Sequence, residues 1–447
     1  MTDNGAAGGD FADLVELHRA ELHAHCYRML GSVHDADDAV QETLLRAWRG
    51  VAGLREARSA RSWLYKIATN VCLTELERRR IRVLPRDYGP AAEPHTPPGA
   101  PVAESVWLEP YPGGSIGIAP GRSAPEASYE QREGIELAFV AAFQHLAANQ
   151  RAVLILREVM GFSAQEVATM LETTAASVNS TLQRARAAVR DRVPARSQQV
   201  TLRALGDRGL RELVDRYVLA WERCDVQAFT ALLVEDATFA MPPLATWYTP
   251  RETIAAWARE YSLSRAWRWR TMLTSANAQP ALAFYAWDDA AGAYLPFALN
   301  VLTVRDGLVS DVTAFIVRST GVTEPEAYVR FPQQPIDPGR LTSAFRGFGL
   351  PNALANGLSM CVEEGDRQFR VHDVGVLTGA GSVTAGTPSR TSRSPVFIGS
   401  YSPGARVAGA CNRASKCAIS GALLATLLVC WWRPIGCPIS EGVVLDG

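Results

Sequence analysis

Residues 161–192 read GFSAQEVATMLETTAASVNSTLQRARAAVRDR, and their spacing decides the fold of this part of the chain. Ser163 and Glu166 stand three apart ahead of Val167 and Leu171, the pattern of a capping box that opens a short helix. Glu172-Thr173-Thr174 then interrupts the period. A second helix follows, its inward stripe Val178, Leu182, Ala185 and Val189 at spacings of four, three and four. A capped short helix, a tight turn and an amphipathic helix make a helix-turn-helix. The stripe leaves Ser177, Asn179, Ser180, Gln183, Arg184 and Arg186 facing outward. Hydroxyls and amides near the helix start suit base edges, and arginines further along suit phosphates. An ordinary helical hairpin with a solvated face would give the same periodicity.

Upstream, Leu137, Val140, Phe143 and Leu146 predict one helix. Val153, Leu156 and Val159, with Asn149 as cap and Gly161 as stop, predict another. Residues 10–82 read as three more helices. The first is capped by Asp10, carries Phe11, Leu14, His18, Leu22, Cys26 and Met29, and stops at Gly31. The second follows Ser32 with Val40, Leu44, Ala47 and Val51. The third spans about 59–80 with Leu64, Ile67, Ala68, Val71 and Cys72 inward. On that third helix Trp63, Lys66 and Asn70 share one face. An aromatic ring, a cation and an amide together suit unstacked single-stranded bases. Arg78, Arg79, Arg80 and Arg82 extend the face as a phosphate track. Asp35, Asp37, Asp38 and Glu42 crowd the start of the second helix, where acids favour the helix dipole or meet a basic partner.

Between the helical blocks, residues 83–132 are dense in proline and glycine and read as a linker. Val106-Trp107-Leu108-Glu109-Pro110-Tyr111-Pro112 inside it carries aromatics that need a surface to bury against. Residues 207–317 change character. Helices at 210–223, 226–234 and 250–261 accompany strands at 238–241, 267–275, 281–287, 294–304 and 308–317, with Arg305-Asp306-Gly307 as a hairpin turn. The expected class is multidomain: two all-α blocks (10–82 and 133–194) and an α+β domain (207–335) with helices on a curved antiparallel sheet. From 353 to 447 neither period persists, and this stretch reads as a disordered or out-of-frame tail.

The chain of 447 residues is near neutral, with 45 Lys+Arg against 46 Asp+Glu, which excludes a uniformly basic nucleic-acid coat protein. Lysine occurs only at Lys66 and Lys416. The eight cysteines show no paired Cys/His spacing, so zinc and a disulfide framework are not expected, no cofactor is expected, and a reducing cytoplasm is. The apolar run at 419–432 falls short of the roughly 20 residues a membrane span takes.

DADDAVQETLLRAWR, then ARSWLYKIATNVCLTELERRR, then a linker, then the helix-turn-helix block strongly resemble the sigma-70-type factors of the extracytoplasmic-function group over about residues 10–194. The resemblance implies that Asp35, Asp38, Glu42, Arg46 and Trp48 bind the clamp of the polymerase β′ subunit, with a further contact to the β flap. It implies that Trp63, Lys66 and Asn70 open and read the −10 element, with Arg78, Arg79 and Arg80 beside them. It implies that the 163–190 block reads the −35 element. Thr74, where the family often has an acid, and Asn179-Ser180-Thr181, where many members have Lys-Ser-Arg, depart from the pattern and bear on which promoter is read.

LVDRYVLAWERCDVQAFTALLVEDATFAMPPLATWYTPRETIAAWARE resembles the SnoaL-like, ketosteroid-isomerase-like cone, which some actinobacterial sigma factors carry at the carboxyl end. That resemblance implies an apolar pocket with Trp221, Phe239, Met241, Trp247, Tyr248 and Trp257 as candidate lining and a small apolar ligand as a further partner. An enzyme of this fold would need a positioned acid or base, and Asp215 and Asp236 are the nearby candidates. The reading is therefore a non-enzymatic sigma factor that binds core RNA polymerase and promoter DNA, with the cone acting on it in cis. Its rivals are a one-component helix-turn-helix regulator with a ligand domain, and a SnoaL-like enzyme with a DNA-binding appendage. The acidic helix argues against the first.

Overall fold

The computed structural model describes residues 4–51, 60–78, 80–99, 101–102, 106–113, 134–264, 266–317 and 345–355. Arg79 and all but the first three residues of the expected 353–447 tail lie outside them.

Three helices, α1 (Asn4–Leu30), α2 (Val33–Gly50) and α3 (Ala60–Leu76), form the first block. α1 begins six residues before Asp10, so Asp10 lies within the helix instead of capping it. Its inward side holds Leu22, Cys26 and Met29, all fully buried. Gly31 has φ +73, which ends α1 and frees Ser32 to cap α2 by accepting from the Asp35 amide at 3.1 Å. In this core His25 is fully buried, its Nε2 at 3.0 Å from Thr69 Oγ1. Burial, then the nearby Arg28 and Arg61 charges, push its pKa down to about 3. The unfolded chain takes up that proton near pH 6.5 and the folded chain only near pH 3, so acid favours unfolding across the window. Stability should fall by about 1.4 kcal/mol per pH unit below about 6.5 from this group. Urea unfolding of His25→Gln at pH 7 and pH 5 should show a smaller loss than the parent; an equal loss would refute the assignment.

After a short turn of helix, α4 (Pro85–Tyr88), the second block comprises α5 (Leu137–Gln144), α6 (Ala148–Leu154, extended by a wider π-type turn at Ile155–Val159), α7 (Ala164–Met170) and α8 (Ala175–Val189). Asn149 falls inside the first turn of α6, whose cap position is Ala147, so it is not the cap. The capping box is present: the Glu166 amide donates to Ser163 Oγ at 3.2 Å and the Ser163 amide to Glu166 Oε2 at 2.7 Å. The two blocks share one core. Arg151 of α6 is buried and donates to Met29 O at the end of α1, to Gln144 Oε1 at 2.7 Å and to Gln144 O at 2.8 Å. Desolvation pulls its pKa down to about 10, so it stays a cation at neutral pH, held by oxygens of both blocks.

The third domain opens with α9 (Gln198–Glu222), which kinks at Gly206. The segment that joins the second block to this domain is thus largely helical: Ser197 caps it, and the Glu136 carboxylate accepts the Gln198 and Gln199 amides at 2.8 and 2.9 Å. α10 (Val226–Thr230), β1 (Leu233–Ala240), β2 (Trp247–Tyr248), α11 (Arg251–Trp257), β3 (Trp269–Ala276), β4 (Gln279–Asp288), β5 (Ala293–Arg305) and β6 (Leu308–Ile316) follow. The sheet order is β2-β1-β6-β5-β4-β3. All neighbours are antiparallel except β1 and β6, which are parallel. The expected curved antiparallel sheet thus carries one parallel pair, because β6 at the end of the β3–β6 meander returns beside β1 in the same direction. Asp306 and Gly307, both at positive φ, make the β5–β6 turn.

β4 is buried on both faces from Gln279 to Ala286. Leu282, Phe284 and Ala286 face the cone interior, while Ala281, Ala283 and Tyr285 join the core of the helical blocks. The period of two therefore splits one strand between two cores. Residues 345–355 pack back on this sheet: Tyr294 and Leu354 exchange backbone bonds at 2.9 Å, and Phe345 lies edge-on to Tyr285.

Candidate nucleic-acid and partner interface

The linker docks where its aromatics need burial. Leu108 and Tyr111 are buried. The Glu109 carboxylate accepts from Ser32 Oγ and the Val33 amide, both at 2.9 Å, so it neutralises the positive start of α2. A Cβ on Gly31 would meet Leu108 Cδ2 at 2.6 Å, and one on Gly113 would meet Ser275 Oγ at 1.9 Å. Glycine at these two points lets the linker lie tight against α1 on one side and β3 on the other.

On α2, Asp38 is exposed and Glu42 pairs with Arg46 at 2.7 Å. Trp48 is 53% exposed, and so is Leu45, which sequence reasoning did not single out. Asp35 differs: it is buried and takes both Arg82 Nε at 3.2 Å and Nη2 at 2.7 Å. Asp35 thus serves the interior, not a partner surface, and Arg82 leaves the phosphate track. Their separation of 47 residues hid the pairing from local spacing. Arg78 and Arg80 are exposed.

On α3, Trp63, Lys66 and Asn70 are half-buried on one side. The Trp63 ring lies beside Gly50 at the end of α2. Lys66 Nζ reaches Glu172 Oε1 at 3.0 Å, in the turn of the helix-turn-helix. Arg61 of α3 donates to Met160 O and covers the Phe162 ring. On α8, Ser177, Asn179, Ser180, Gln183, Arg184 and Arg186 are all exposed. Arg184 bonds back to Thr181 at 3.0 Å, and Arg186 Nε donates to Glu158 at 2.6 Å.

The third domain inserts the β3–β4 turn between the blocks. Asn277, fully buried at φ +53, donates to Tyr27 Oη at 2.8 Å and to Ile135 O at 2.9 Å. It accepts from the Tyr111 amide at 2.9 Å. Gln279 accepts from the Leu137 amide at 2.9 Å. One hairpin turn is thereby bonded to the first block, the linker and the second block. Tyr111 takes part in this contact; Trp107 instead packs on Tyr88 within the linker.

The cone encloses a cavity of about 270 Å³. Trp221, Phe239, Met241 and Trp257 line it, joined by Trp267 just ahead of β3 and by Trp269, Phe284 and Phe297 from the strands. Trp247 and Tyr248 do not. They sit on the two-residue edge strand β2 and turn to the linker, donating to Gly89 O at 2.8 Å and Thr96 O at 2.9 Å. Asp215 is exposed, and Asp236 is exposed and held by Arg305, which keeps its carboxyl below the usual range. Neither candidate acid reaches the cavity.

Two family models match: sigma-70 region 2 over residues 14–81 and sigma-70 region 4 over 136–189. The extracytoplasmic-function RNA polymerase sigma factor SigG of Mycobacterium tuberculosis is 41% identical over 315 residues, which are 69% of this chain and 81% of SigG. The chain belongs to the extracytoplasmic-function sigma factors. Among solved structures, the M. tuberculosis sigma factor SigJ aligns with 68% of this chain and 95% of its own, at 21% identity and a TM-score of 0.44. An NTF2-like protein of unknown function from Mesorhizobium loti aligns with 24% of this chain and 91% of its own, at 15% identity and a TM-score of 0.22.

In this sigma factor the first block is region 2 and the second is region 4, and the third domain adds helices on a curved sheet. Sigma factors carry out no reaction of their own; core binding and promoter recognition follow from the family. Among the described residues no helix is long and apolar enough to cross a membrane, and no cluster of three or more His, Cys, Asp or Glu could hold a metal.

Proposed function

We propose that this sigma factor directs core polymerase to promoters through the α2 face and the two DNA-reading helices, and that its own third domain restrains it. The observation that carries the restraint is the Asn277 turn, bonded at once to region 2, the linker and region 4. Asp38, Glu42, Arg46 and Trp48, with Leu45, form the polymerase-facing side. Trp63, Lys66 and Asn70 trap unstacked −10 bases, while the exposed side of α8 reads −35.

The two readers must separate to work. The −35 and −10 elements lie about 25 base pairs apart, roughly 85 Å of duplex, whereas Lys66 here touches the region 4 turn at 3.0 Å. The packed arrangement is thus a resting one, and opening frees the Lys66 face. Donor and acceptor dyes at positions 49 and 190 should lose most of their energy transfer when core polymerase is added. Unchanged transfer in a core-bound complex would overturn the restraint.

On α8, Arg184→Ala should weaken duplex −35 binding and lower the slope of log affinity against log salt by about 0.9 per lost phosphate contact. Arg186, which must leave Glu158 first, should matter less. Fluorescence anisotropy across a salt series reads both; an unchanged slope for Arg184→Ala would remove it from the interface.

A further inference from the structure

The open end of the cone is crossed by the linker that joins regions 2 and 4. The Ala92 amide donates to Trp247 O at 2.8 Å, the Gly99 amide to Thr246 Oγ1 at 2.8 Å, and the Val102 amide to Pro243 O at 3.0 Å. Trp247 and Tyr248 return two side-chain bonds to it. His95 pairs with Glu260 at the cavity rim, and Pro98 forms part of the cavity wall.

Inside, the walls are aromatic. The Trp267 and Trp269 rings lie nearly parallel at 4.6 Å. The Trp257 indole N–H and the Ser262 hydroxyl, both on lining residues, are buried with no hydrogen-bond partner. Buried donors of this kind favour an acceptor brought in by a ligand. Among the described lining residues Glu260 is the one carboxylate, and it disfavours an anion.

We propose that the cavity binds a neutral, flat molecule bearing a carbonyl or ether oxygen, and that the linker over 89–99 closes on it, so that occupancy tightens the linker against the cone. The proposal rests on the cis-acting reading of the third domain. Because α4 of the same linker is tied to region 4 through Asp87 and His145 at 3.4 Å, a ligand that holds the linker also opposes separation of the two regions. Linkage makes the effect mutual: whatever loosens the linker weakens the ligand by the same factor.

The test uses the full chain without polymerase, so it can fail while transcription succeeds. Prodan, a neutral flat naphthalene ketone, serves as probe. It should bind saturably with a blue-shifted emission and slow hydrogen exchange at the Ala92, Gly99 and Val102 amides by about tenfold, the scale of one to two hydrogen bonds. The double variant Trp247→Phe with Tyr248→Phe, which keeps both aromatic bodies but removes both bonds to the linker, should bind prodan about fivefold or more weakly. Ala314→Trp, which fills the cavity, should abolish binding. If that variant does not fold, Ser262→Ala should weaken binding several-fold. Prodan binding with unchanged or faster exchange at the three amides would overturn the closing linker. Binding unaffected by cavity filling, or by Ser262→Ala where the filled variant fails to fold, would overturn the site.

Discussion

Asn277→Gly should raise the apparent affinity of this sigma factor for core polymerase by at least tenfold and raise promoter output at limiting protein. Glycine accepts φ +53 without strain, so the change removes the side chain and leaves the turn. Three hydrogen bonds go, to Tyr27, Ile135 and the Tyr111 amide. All lie in a buried seam that water fills only once the domains part. At about 1 kcal/mol each the closed arrangement loses about 3 kcal/mol, and each 1.4 kcal/mol is about tenfold in the ratio of closed to open. Part of that shift is spent in opening without polymerase, hence the lower bound of tenfold. Titrating core polymerase against dye-labelled protein measures it. An unchanged affinity would mean that the turn only packs and restrains nothing.

The second large effect should come from the exposed side of α2. Leu45 and Trp48, each 53% exposed, are costly in water and suit the apolar centre of an interface, with Asp38 and the Glu42–Arg46 pair at its rim. Truncating buried aromatic anchors costs about 2–4 kcal/mol. Leu45→Ala with Trp48→Ala should therefore weaken core binding about a hundredfold or more, with the thermal melt unmoved because neither side chain is buried in the free protein. Asp38→Lys, a rim charge, should slow association and make it more salt-sensitive. If the double alanine variant bound core polymerase normally, the partner surface would lie elsewhere.

Much of this was legible in the sequence because helices announce themselves locally. The capping box at Ser163 and Glu166, the stripe from Val178 to Val189 and the stop at Gly31 are all set within a few residues of one another. Strand positions followed from alternation and from Asp306-Gly307. Long-range pairings were not legible. Asp35 looked like its exposed neighbours Asp37 and Asp38 until Arg82 folded over it. Trp247 and Tyr248 looked like cavity lining because a two-residue edge strand gives no period from which to assign a face. Asn277 was missed, although an asparagine between two apolar strands is a turn signal. What no spacing could reveal is that this turn is buried, because the surface that buries it is made by Tyr27, Tyr111 and Ile135, far away in the chain.

Run-off transcription from a cognate promoter with purified core polymerase tests the account most directly. The full chain should yield a promoter-specific transcript that core alone does not. Asn277→Gly should yield more at limiting protein, and Leu45→Ala with Trp48→Ala almost none. A chain that binds promoter DNA yet supports no initiation in any of these forms would contradict the sigma-factor account. Equal output from the parent and Asn277→Gly across all concentrations would contradict the restraint.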